Sequence, residues 1–265
     1  MSTSIPPARR VPPIWRAGVL GLAAIIAGVV VVGRNLTHSL APDPARVAGA
    51  TATTSEAPTP TPTTPLSTFA APPFVLDQGL GTFTYATGEG PVFGTSGTLQ
   101  RYRVAVEDGT DIAADAFAAA VDSVLGDARS WIGGNNVRLQ RVAGTASATF
   151  TIYLATPVTS EHMCAEGGLD TQAFTNCRLG TNKVVINLAR WLTAVPDYGA
   201  DLDVYRAYAI NHEVGHQLGY NHELCPGPGE PAPVMQQQTY GLQGCVANAW
   251  PYLAGTRYRG PPADQ

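Results

Sequence analysis

Charge is what this chain of 265 residues has least of: Asp, Glu, Lys and Arg together make up 14%, and the formal net charge is −4. From Phe74 onward 11 Lys/Arg stand against 18 Asp/Glu, a balance of −7. An acidic surface of that kind gives a phosphate backbone nothing to hold, which excludes nucleic acid as the partner. Cysteine is scarce as well. There are four, Cys164, Cys177, Cys225 and Cys245, with none before residue 164 and no C-x-x-C pair, which argues against a thiolate metal site. Methionine occurs three times, as Met1, Met163 and Met235. Histidine is hardly commoner, at five, yet three of the five fall within one stretch of eleven residues, 212–222.

The chain divides by composition. Residues 1–16 carry Arg9, Arg10 and Arg16 and no acid. Residues 17–33, AGVLGLAAIIAGVVVVG, have no polar side chain. That run is short for a membrane-spanning helix and long for a signal-peptide core. Arginines before it place the remainder of the chain outside the cell on either reading. An uncleaved anchor and a signal peptide cut after Ser39-Leu40-Ala41 both remain open, and Pro42 directly after that triplet favours the anchor. Residues 34–73 read as a disordered linker, with PTPTPTTP at 58–65, because Pro and Thr in this density cannot bury enough apolar surface to fold. A polyproline-like stalk of ~3.1 Å per residue would reach up to about 100 Å.

Residues 74–265 read as one folded domain of α/β (α+β) class. Strands are expected at 82–85, 99–107, 137–143, 149–156 and 183–191, with a Gly-rich loop at 88–97. Tyr102, Val104 and Val106 share one strand face. A helix is expected from Ile112 to Trp131, with Asp111 as N-cap and Phe117, Val121 and Leu125 as its buried stripe. Strands alternating with helices predict a mixed sheet with two long helices packed on it, not a sandwich. The second long helix begins near Leu202; the Pro-rich chain after His222 is irregular.

That second helix carries His212-Glu213-Val214-Gly215-His216, continued by Gly219 and His222: H-E-x-x-H-x-x-G-x-x-H. Helical residues i and i+4 lie ~40° apart, so His212 and His216 project from one face, one turn apart, where one Zn²⁺ can take both nitrogens. Glu213 lies ~100° further round, placed to reach a water rather than to ligate. Gly219 offers a left-handed exit from the helix, which lets His222 return as third ligand. Three ligands leave a fourth position open, the mark of a catalytic rather than a structural site. Chance alone yields the string at a rate on the order of 1 in 100,000 for a chain this long. Ala207, Ile210, Val214 and Leu218 occupy the opposite side, so one face packs on the sheet while Tyr208, His212, His216 and Gly219 look into a cleft.

The four cysteines lie in the exported part, where disulfides persist. Three pairings exist, and sequence proximity favours Cys164–Cys177 and Cys225–Cys245.

Over roughly residues 98–245 the domain resembles the metzincin zinc endopeptidases, on the strength of the eleven-residue string and of Met235, which looks like their Met-turn methionine. It is also similar to a group of secreted or membrane-anchored actinobacterial domains of this type. The resemblance implies Zn²⁺ on His212, His216 and His222, Glu213 as catalytic base, Met235 in a tight turn below the metal, and a peptide or protein substrate lying extended in a cleft along an edge strand. Two departures limit it. Astacins place a tyrosine two residues after the methionine; here that position is Gln237, and Tyr240 takes the role only if the loop folds differently. Glu223 matches an astacin position whose role is tied to a freed N-terminus, and this chain shows none near the domain. The function expected is an extracytoplasmic zinc endopeptidase, with a cell-wall peptide hydrolase as a close variant. The alternative from another class is a zinc-stabilised binding or sensor module without turnover.

Overall fold

The structure is a computed structural model that describes residues 73–180 and 182–263. The basic stretch 1–16, the apolar run 17–33 and residues 34–72 of the linker lie outside the described residues, and with them the anchor and cleavage readings. Among the described residues no helix is long and apolar enough to cross a membrane.

Strands β1 (Phe83–Tyr85), β2 (Val92–Phe93) and β3 (Thr98–Glu107) lead into helix α1 (Ala114–Leu125). A 3-10 turn, Trp131–Gly134, precedes β4 (Val137–Arg141) and β5 (Phe150–Ala155). Then come helix α2 (Pro157–Ala165), β6 (Cys177–Leu179), β7 (Lys183–Asn187), α3 (Leu188–Thr193) and α4 (Leu202–Gln217). Beyond α4 the chain is irregular apart from a 3-10 turn, Gln238–Tyr240, and the short hairpin β8 (Tyr252–Leu253) and β9 (Thr256–Arg257).

The main sheet is mixed, in the order β2-β4-β3-β5-β7-β6, with β1 also pairing β3. Its centre is parallel: Val104 stands beside Ile152, and Ile152 beside Val184. Period-2 alternation sends Tyr102, Val104, Val106, Ile152, Leu154, Val184 and Ile186 to one face, where they bury with Phe117, Val121 and Leu125 of α1 and Ile210 and Val214 of α4. The opposite face takes Val185, Leu179 and Cys177, packed under Met163 and Cys164 of α2. β6 is an antiparallel edge strand, paired only with β7 in this sheet. Both expected disulfides form, Cys164–Cys177 and Cys225–Cys245. The first ties α2 to the edge strand.

The mixed sheet and its helices match the sequence expectation, and several boundaries do not. Asp111 is not the N-cap of α1; Ala113 is, with no side-chain hydrogen bond. The same helix stops at Leu125 rather than Trp131. Gly126 comes next, and Asp127 accepts from the backbone N–H of Arg129 at 2.8 Å, a local turn that competes with the helical ladder. The strand expected over 183–191 breaks at Asn187, whose side chain accepts from Ala189 N at 2.9 Å and caps α3. The Gly-rich loop 88–97 contains β2, paired antiparallel with β4.

Candidate metal centre

Helix α4 places His212 and His216 on one face with ring centroids 4.7 Å apart. The helix then ends as the sequence requires. Tyr220 N–H reaches back to Gly215 O at 3.0 Å, and Gly219 adopts φ +93°, a conformation that only glycine takes without strain. Nothing lies within 4 Å of a Cβ built on Gly219, so backbone conformation and not space selects the residue. The chain turns back and brings His222 over the pair. The Nε2 of His216 lies 3.2 Å from that of His212 and 3.0 Å from that of His222. Among the described residues this is the one cluster of three or more His, Cys, Asp or Glu whose ligand atoms converge.

The hydrogen bonds behind the rings decide what these nitrogens are. His212 Nδ1 meets the carbonyl of Val234 at 2.8 Å, and His216 Nδ1 meets that of Tyr220 at 2.9 Å. A carbonyl only accepts, so each Nδ1 carries the hydrogen and each Nε2 presents a lone pair. Two lone pairs facing each other at 3.2 Å repel unless a cation lies between them. A tetrahedral zinc with Zn–N of ~2.0–2.1 Å holds its nitrogens about 3.3 Å apart, so the donor set fits. The surroundings favour the neutral form of each ring. Burial and the neighbouring His216 hold His212 well below the ordinary histidine range, burial and His222 push His216 down to about 4, and burial lowers His222 too.

Glu213 is buried beside them, and among the described residues no hydrogen bond to its carboxylate is seen. With the histidines neutral, burial pushes it up to about 8. A divalent cation nearby would favour the charged carboxylate and draw that value down again. His212, Glu213, His216 and His222 all line one cleft of about 480 Å³. Edge strand β6 forms part of its wall through Arg178, which alternates away from Cys177 and Leu179 and donates to Gln217 of α4 at 3.0 Å.

Met235 is fully buried below the motif helix. A Cβ added to Gly215 would come within 2.4 Å of its sulfur and 2.6 Å of Trp131, so the second variable residue of H-E-x-x-H is a glycine for packing reasons. The turn is braced by glutamines. Gln236 donates to Leu242 O at 2.9 Å, and Gln238 donates to Asn248 O at 2.8 Å while accepting from Tyr198. Gln237 and Tyr240 both line the cleft, Tyr240 at its exposed rim near Phe174. Glu223 is elsewhere: it pairs with Arg257 at 3.1 Å and is not among the cleft residues. Sequence patterns do not single out Asn211, yet it belongs to the site's support. Its side chain accepts from Ser130 at 2.7 Å and donates to Ala249 O at 3.0 Å, anchoring the residue before His212. A polar residue on a helix otherwise apolar on that side is the one signal the sequence offers for it.

Fold and site together define a class: an α/β domain whose longest helix and following loop converge three histidines and one buried glutamate on a single cleft. The chain belongs to the family described as "Protein of unknown function (DUF3152)", whose model matches residues 71–250. No curated protein and no solved structure matches it.

Proposed function

We propose that this chain is an extracytoplasmic zinc-dependent endopeptidase of metzincin type. The observation that carries the reading is the pair of facing Nε2 lone pairs on His212 and His216, with His222 beside them and Glu213 on the same cleft wall. His212, His216 and His222 would hold the ion. Zn²⁺ there supplies Lewis acidity toward water and toward a peptide carbonyl. Glu213, unpaired and buried, takes the proton of the attacking water and passes it to the leaving amine. β6 ends the sheet beside the cleft, and that edge would take an extended peptide in the manner of strand addition. Two disulfides support an oxidising compartment.

The test is cleavage of a broad peptide library by the zinc-loaded domain beside Glu213→Gln. Cleavage by the wild type alone is expected. Zinc bound with no cleavage by either protein would favour the non-catalytic binding or sensor module, and equal cleavage by both would remove Glu213 as base. Including cell-wall cross-link peptides in the library separates the wall hydrolase from the general endopeptidase.

A further inference from the structure

The loop that delivers His222 has no regular structure of its own, yet it is held on two sides. On one side Glu223 N–H donates to Met235 O at 3.1 Å. On the other lie residues 256–263, beyond the stretch the family model matches. Leu224 N–H donates to Pro261 O at 2.7 Å, and Ala263 N–H donates to the carbonyl of His222 itself at 3.1 Å. Glu223 and Pro262 form an antiparallel bridge between these two contacts.

Arg257 acts on both flanks of the ligand. Its Nη2 donates to Glu223 Oε1 at 3.1 Å, with the two side chains only 9% and 11% exposed. Its guanidinium lies 5.1 Å from the centre of the Trp131 ring and 5.4 Å from that of Tyr220, and those rings stack at 4.4 Å. Tyr220 is the residue whose carbonyl orients His216. One guanidinium therefore touches the residue two before His222 and the residue after it. A buried ion pair is a poor source of stability, because desolvation offsets most of its attraction; its better-attested use is to fix a register. Here the register fixed is that of the third candidate ligand.

We propose that residues 256–263 are a strap that holds His222 in ligating geometry, with Arg257 as its positioning residue. The proposal rests on the three-histidine metal reading. Its test is titration of Co²⁺ into the full chain in detergent, following both affinity and the visible band of tetrahedral cobalt. Arg257→Gln is expected to lower Co²⁺ affinity by about 10–100-fold and to weaken the band, as loss of an outer partner does. Arg257→Lys is expected to recover part of that loss. If Arg257→Gln also lowers the melting temperature of the metal-free protein, Ala263→Pro decides, since it removes the N–H that bonds His222 and leaves the Arg257–Glu223 pair untouched; a loss of a few-fold at an unchanged melting temperature is expected. Wild-type affinity and band in both Arg257→Gln and Ala263→Pro would overturn the strap and leave the metal site standing. No Co²⁺ bound by the wild type would overturn both.

Discussion

The two halves of the site are built by different physics. His212, Glu213 and His216 ride on α4, whose 3.6-residue period alone puts two imidazoles on one face. His222 and Met235 ride on chain without regular structure; beyond the local Gly219 exit, their placement rests on clamps from outside α4: the Cys225–Cys245 disulfide, the Gln236 and Gln238 amides, the Arg257 pair. A ligand on a helix is positioned by local sequence. A side chain on a loop needs clamps, and the structure supplies several for one histidine.

Substitutions can break this contrast at graded strength. The largest effect is expected in the helical half. Glu213→Gln should cut hydrolysis by about 10²–10⁴-fold while metal content, measured by elemental analysis, stays at the wild-type level. Next is the loop half. Replacing Cys225 and Cys245 by Ser opens a loop with a sequence separation of 20, which the chain-entropy model values at about 3 kcal/mol. Urea titration should show that loss together with weaker metal retention. Removing Cys164–Cys177 should cost a similar amount and leave metal retention alone, since that bridge ties α2 to β6. At the seam between the halves, Gly215→Ala drives a Cβ against Met235 and Trp131, and about 1–3 kcal/mol of stability should go in the same titration. Gly219→Ala sets a side chain at φ +93° with open space around it, so only backbone strain counts, roughly 1 kcal/mol. Smallest is Tyr240→Phe. Tyr240 stands at the rim of the cleft and is 60% exposed, and the peptide-cleavage rate should change by less than about tenfold.

The same contrast explains how much is legible in the sequence. The helical trio and the buried faces of β3 and β5 come from periodicities of 3.6 and 2, and the Gly219 exit from a residue type; a sequence displays both directly. The cysteine pairs come from proximity. By contrast, α2 reads PVTSEHMCA, with no apolar stripe, and β6 is three residues long; neither announces itself by pattern. The Asn211 anchor and the Arg257–Glu223 pair join residues 38 and 34 positions apart, and no local rule reaches that far. Asp111 loses the cap because Ala113 starts the helix without side-chain help once Ala114, Phe117 and Ala118 bury.

The most direct test of the proposed metal centre is native mass spectrometry of the full chain after dialysis against zinc, beside His212→Ala and His222→Ala. One ion per wild-type chain, removed by a chelator and absent from both variants, is the expected result. No retained ion in the wild type, or equal retention in all three, would contradict a three-histidine metal site.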